Sequence, residues 1–146
     1  MKKIAYFLFF ISTAGIACPN LEGTWVCNNS EGVLSTTTVT QEDIPNGAFY
    51  HLIDDRDIEF DFYADGVVRP IKEGDMVGSS VASCKGQSGV QGWHEFQIKR
   101  ESLKASVDSD YTLEGANKLK GTLVYKISFD GQDPEISTLS FDCKKK

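Results

Sequence analysis

A chain of 146 residues, 40% hydrophobic and 11% aromatic, holds enough apolar material for one domain with its own core and too little for two. Its 15 lysines and arginines against 21 aspartates and glutamates give a net charge of −6. No dense cationic stripe is present to displace counterions from a phosphate backbone, so nucleic acid is excluded as a partner; the one basic cluster, Lys144-Lys145-Lys146, reads as a solvated terminus.

The chain opens Met1-Lys2-Lys3, runs uncharged from Ile4 to Ile11, and continues Ser12-Thr13-Ala14-Gly15-Ile16-Ala17. That order predicts a signal peptide over residues 1–17, with Gly15 and Ala17 at the two positions of the cleavage site that need small side chains. The apolar run is shorter than the roughly 20 residues a bilayer crossing takes. The mature chain, 18–146, therefore has no predicted transmembrane segment, and loss of Lys2 and Lys3 moves its net charge from −6 to −8. Gly15-Ile16-Ala17-Cys18 also resembles the lipobox of bacterial lipoproteins, with Gly15 where leucine is usual. The expected location is periplasmic or secreted, in a bacterium, with lipid anchoring through Cys18 as the alternative.

Beyond the leader the apolar residues recur with period two, and no apolar stripe at helical spacing is present. In chain order the predicted strands are Gly23 to Asn28, Leu34 to Gln41, Ala48 to Asp54, Ile58 to Phe62, Val67 to Ile71, Val77 to Cys84, His94 to Arg100, Leu103 to Glu114, Leu123 to Phe129 and Ile136 to Cys143. The alternation is cleanest from Leu103 to Glu114, where every odd position but Ser109 is apolar. Asp65-Gly66 and Asp130-Gly131 offer the positive φ of tight hairpins, and Pro45-Asn46-Gly47 and Glu114-Gly115-Ala116-Asn117 read as longer turns. Gly74, Gly78, Gly86, Gly89 and Gly92 predict a mobile or strongly bent edge. Together these signals predict an all-β, antiparallel meander, an up-and-down β-barrel of about 8–10 strands, in a single domain.

Gly23-Thr24-Trp25 opens the first predicted strand close to the mature N-terminus. It resembles the Gly-x-Trp signature of the lipocalin and wider calycin superfamily, in which the tryptophan closes the base of the barrel. The resemblance implies a lipocalin-like barrel that holds a ligand. The family's arginine near the last strand has no counterpart among Arg56, Arg69 and Arg100, which leaves Lys126 or the terminal lysines to replace it.

Cys18, Cys27, Cys84 and Cys143 make an even set in an exported chain, so two disulfides are expected. In a closed meander the end of the last strand lies beside the start of the first, which favours Cys18 with Cys143 and leaves Cys27 with Cys84. No Cys-x-x-Cys pair and no histidine at ligand spacing points to a metal. Asp54-Asp55-x-Asp57 is a loose oxygen cluster without the glycine and glutamate of a calcium loop.

No nucleophile elbow, phosphate loop or dinucleotide fingerprint appears, no cofactor is implied, and His51 and His94 read as surface or partly buried polar residues. Asp57, Glu59 and Asp61 read as the solvated face of a strand. The expected interior is aromatic, and Trp25, Phe60, Phe62, Phe96, Tyr111, Tyr125, Phe129 and Phe141 are the candidate ligand-lining residues. The expected function is therefore non-catalytic binding of a small hydrophobic molecule. The alternative is a periplasmic protein-binding module, such as an inhibitor of a hydrolase like lysozyme, acting through the Gly86 to Trp93 loop with Trp93 as anchor.

Overall fold

The computed structural model describes residues 17–146; residues 1–16, most of the expected leader, lie outside the described residues. Ten strands follow one another: β1 Gly23–Asn29, β2 Leu34–Ile44, β3 Gly47–Asp54, β4 Glu59–Tyr63, β5 Arg69–Glu73, β6 Met76–Cys84, β7 Gly89–Ile98, β8 Leu103–Leu113, β9 Lys118–Phe129 and β10 Glu135–Lys145. They form one antiparallel sheet in the order β4-β3-β2-β1-β10-β9-β8-β7-β6-β5. The fold is the expected all-β meander, curled into a half-barrel consistent with a lipocalin-like barrel, and its first and last strands are neighbours. Among the described residues no helix is long and apolar enough to cross a membrane.

Alternation sets the two faces. In β8, Leu103, Ala105, Val107, Tyr111 and Leu113 turn from solvent while Lys104, Asp108, Asp110 and Thr112 are exposed. β7 and β9 each begin five residues earlier than expected, at Gly89 and Lys118. Their first inward positions include Val90, Gly92, Leu119 and Gly121, and the glycines break the apolar pattern that marks a strand. At Gly78 in β6 a Cβ would collide with the Glu95 carbonyl oxygen of β7, so this glycine marks a close approach of two backbones.

The expected Asp65-Gly66 hairpin does not form, because the strands on either side of it, β4 and β5, are the two edges of the sheet. The connection between them spans the seam instead. The Ala64 N–H donates to the Ala48 carbonyl of β3 and the Gly66 N–H to the Ala82 carbonyl of β6, each at 2.8 Å, and Asp65 bridges to Ser83. Asp65 fixes this crossing: its Oδ1 and Oδ2 accept from Arg69 Nη1 at 2.8 Å and Nη2 at 2.7 Å, and Oδ1 also accepts from the Val67 N–H at 3.0 Å.

The Arg69 hydrogen bonds hold the Asp65 carboxyl down to about 2. A carboxyl depressed in the folded state contributes stability in full above its unfolded value near 4, and that contribution is lost as pH falls toward 2. Asp65→Asn is expected to cost about 1–2 kcal/mol at pH 7 after allowance for solvent screening of the partly exposed Arg69. Urea unfolding at pH 7 and pH 2 checks this: the gap between variant and parent shrinks at the lower pH, and an equal gap at both refutes the seam assignment.

The fully buried core gathers at the end of the meander that holds the N-terminal segment. Trp25 is 1% exposed and its indole Nε1 donates to the Leu21 carbonyl at 2.8 Å. Tyr50, also buried, donates its hydroxyl to the Pro19 carbonyl at 2.8 Å. Burial, with the Asp43 charge behind it, raises the pKa of that phenol well above its ordinary value. Residues 18–22 are thus laid across the base by two hydrogen bonds to buried rings. Gly23 takes φ 125, a conformation side-chain-bearing residues avoid, and a Cβ there would stand 2.6 Å from Lys145 Cε. Lys145 reaches past this glycine to place its Nζ 5.6 Å from the Trp25 ring centroid. The terminal lysine cluster is therefore not merely a solvated tail: β10 runs through it.

Two disulfides form, but the expected pairing is exchanged: Cys18 joins Cys84 and Cys27 joins Cys143. The cause is register. Because β10 continues to Lys145, which lies opposite Trp25, Cys143 falls directly across from Cys27. Cys18 belongs to the segment that crosses the base, where the end of β6 presents Cys84. Both sulfurs of that bond lie near the Ala64 carbonyl of the seam crossing, at 3.9 Å and 3.4 Å. Two such bonds fit an oxidising, extracellular-type environment.

Candidate functional site

The eight expected lining residues separate into two groups. Trp25, Phe62, Tyr111 and Phe141 belong to the base. Phe62 stacks on Tyr50 with centroids 4.9 Å apart, Tyr111 and Phe141 pack against the buried cluster, and burial, with Tyr125 behind it, pushes the Tyr111 phenol up to about 12. Of these four, Trp25 is fully buried and the other three are half-buried against the same cluster. Tyr50, which stands among them, escaped sequence reading, although its alternation with Ala48 and Leu52 marks it as inward.

Phe60, Phe96, Tyr125 and Phe129 lie on the same inner face beyond that plug, and solvent reaches them. Phe60 is 50% and Phe129 47% exposed, Ile127 beside them is 37% exposed, and Phe96 and Tyr125 are half-buried. The pairing registers order this region into rows. One row across β5 to β10 reads Arg69, Ser80, His94, Val107, Tyr125, Ser137. The next toward the open end reads Ile71, Gly78, Phe96, Ala105, Ile127, Glu135. From the opposite edge of the sheet, Phe60 of β4 reaches across to His94 of β7, ring centroids 6.1 Å apart and edge to face. The two sides of the sheet therefore meet through these rings at this point.

His94 turns inward with Val90, Gly92, Phe96 and Ile98, and burial lowers its pKa, so the imidazole is neutral at pH 7. Burial likewise raises the Tyr125 phenol. His51 takes the other face, where its Nδ1 lies 2.5 Å from Asp61 Oδ1 in front of solvent. The Asp54 cluster is consumed by its own turn. Asp54 accepts from the Arg56 side chain and from the backbone N–H groups of Arg56 and Ile58, and Asp55 accepts from the Thr36 N–H at 3.0 Å.

The Gly86 to Trp93 stretch is a loop only in part. Gly86–Ser88 is one 3-10 turn, closed by the Lys85 N–H on the Gly89 carbonyl at 2.7 Å, and Gly89 to Trp93 begins β7 with Gly89 and Val90 buried. Trp93 stands on the outer face between Val81 and Asp108, in a shallow groove of about 350 Å³ that also takes in Val124 and Thr122.

Compared with protein-family models, curated proteins and solved structures, the chain gives no match.

Proposed function

We propose that the protein is an exported, non-catalytic binding protein of lipocalin-like build, periplasmic or secreted, that holds a small hydrophobic molecule against its inner face. The observation that carries this reading is the division of the interior: a solid base, then Phe60, Phe96, Tyr125, Ile127 and Phe129 left accessible on the inner, curled side of the sheet. Leaving such rings wet forgoes about 25 cal/mol for each Å² of apolar surface, which a bound apolar molecule restores. The Gly23-Thr24-Trp25 step, with Lys145 over the indole where the family places an arginine, supports the lipocalin-like build. The edge-to-face contact of Phe60 with His94 narrows the room on the inner face, which favours a small molecule over a protein segment as the occupant. Neither histidine supports catalysis. His94 meets no carboxylate in its row, and His51 with Asp61 faces solvent without a bonded nucleophile.

Titration with the neutral apolar fluorophore N-phenyl-1-naphthylamine tests the reading. Emission should rise and saturate near one probe per chain, and Phe60→Ala with Phe129→Ala should weaken binding about 10-fold, the loss of roughly 1.4 kcal/mol of apolar contact. A flat titration removes the interior ligand. The outer groove around Trp93 supports the second reading, a protein-binding module. Trp93→Ala separates the two, since it removes a partner such as lysozyme and leaves the probe titration unchanged.

A further inference from the structure

The sheet ends on two edges of opposite character. In β5, Pro70 supplies no N–H and Lys72 stands beside it, which blunts that edge against further pairing. In β4 the ladder to β3 is pinned at its two ends, by the Ala64 N–H on the Ala48 carbonyl and by the Asp54 N–H on the Ile58 carbonyl. Bonded and non-bonded pairs alternate along an antiparallel ladder, so between these points Phe62 with Tyr50 and Phe60 with Leu52 exchange the bonds. Glu59 and Asp61 fall at the other parity. Their N–H and C=O groups turn away from β3, toward the side on which no strand follows among the described residues. Both residues are exposed, as is the Asp57 that precedes the strand, and the Phe60 ring on the inner face is 50% exposed. The other end of β4 is covered, since the Arg69 guanidinium lies 4.3 Å over the Tyr63 ring. The open edge is therefore the stretch from Glu59 to Asp61, acidic on its outer side and apolar on its inner one.

We propose that the β4 edge docks an extended basic segment of another protein, which adds as an antiparallel strand with lysines or arginines opposite Glu59 and Asp61 and an apolar side chain against Phe60. Main-chain hydrogen bonds supply the attachment and the alternating side chains supply the selection. In this geometry the residues directly opposite Glu59 and Asp61 share their outer face and exchange both backbone bonds with them. The basic residues of the guest are therefore also the ones whose amides are bonded. Charge decides the occupant, because opposite charges across a pair stabilise it and like charges oppose it. A second copy of this chain fits poorly: two β4 edges about a two-fold axis set carboxylates against carboxylates, and a copy offering β5 brings Pro70, without a donor, to the ladder. The net charge of −6 steers a basic segment toward the molecule in the same sense. Asp61 also holds His51 on the outer face, so Glu59 is the cleaner position for a charge reversal.

Fluorescence anisotropy of a labelled, end-capped peptide of alternating lysine and valine, titrated with the disulfide-intact protein, tests this. The peptide should bind saturably, and a glutamate–valine peptide of the same length should not. N-methylation of the lysine backbone amides removes the donors aimed at β4 and keeps every charge, so it should weaken binding about 10-fold or more. N-methylation of the valine amides, which point away from β4, should change it by less than about 2-fold. Glu59→Lys should weaken the lysine–valine peptide about 5–10-fold. Asp61→Asn should cost only a few-fold, whereas Asp61→Pro, which takes a donor from the free edge and none from the bonds to β3, should abolish binding. If Asp61→Pro does not fold, as judged by circular dichroism, the methylated peptides make the same test on the unaltered protein. A peptide indifferent to lysine-amide methylation is held by charge alone, which overturns strand addition. Equal binding of the two peptides, or binding of neither, overturns the basic partner, and full binding retained in Glu59→Lys and Asp61→Pro places the contact elsewhere and overturns the proposal.

Discussion

Trp25→Ala is expected to lower the free energy of unfolding by about 3–5 kcal/mol, a large share of the total for a domain of this size. The indole is one of the largest fully buried side chains, and it joins three parts of the base: Leu21 through the Nε1 hydrogen bond, Lys145 across its face, and the buried cluster of β1, β2 and β10. Removing it leaves a void and strands the Leu21 carbonyl without its donor, two costs that add to the lost burial. Urea unfolding followed by far-ultraviolet circular dichroism measures the loss without relying on tryptophan emission, since the chain has only 2 tryptophans. Trp25→Phe should recover part of the stability by filling space but not the hydrogen bond. A loss under about 1 kcal/mol for Trp25→Ala would mean that the base is not where this fold is held.

The fold was legible in the sequence wherever inward positions carried large apolar side chains. β8 reads directly because Leu103, Val107, Tyr111 and Leu113 keep the period, and β10 reads as far as Cys143. It is unreadable beyond, because Lys144 and Lys145 carry no strand signal although they continue the ladder against β1. That extension, together with the crossing of residues 18–22 over the base, exchanged the disulfide partners. The seam was illegible for a related reason: Asp65-Gly66 has the composition of a hairpin, and only tertiary bonds to β3 and β6 from the N–H groups of Ala64 and Gly66 make it a crossing.

The candidate site was half legible. Parity placed all eight aromatics on one face of the sheet, but parity carries no depth, and which of them lie near the buried base follows from the register of the strands. His94 shares the parity of Phe96 and Ile98, so its inward position was present in the pattern; what the sequence lacked was Phe60 arriving from the far edge to cover it.

Separate removal of the two disulfides should distinguish a staple of the sheet from a latch on the base. The loops they close span 116 and 66 residues. Chain entropy assigns such loops about 4–5 kcal/mol, and measured losses for natural bonds run nearer 2–4 kcal/mol. Cys27→Ser with Cys143→Ser should show the larger loss in urea midpoint, yet the ladder between β1 and β10 keeps those strands in register, so Trp25 should stay buried in the folded state. Cys18→Ser with Cys84→Ser should cost somewhat less overall and act locally. It frees residues 18–22, whose Pro19 and Leu21 carbonyls receive Tyr50 and Trp25, and it unties the end of β6 from the seam crossing. Faster amide exchange in residues 20–25 and a red shift of tryptophan emission before global unfolding should follow in this second variant only. Peptide mapping under non-reducing conditions gives the sharpest check. Peptides carrying Cys18 with Cys84 and Cys27 with Cys143 are required, and a fragment joining Cys18 to Cys143 would displace β10 from its register and the base from its lid.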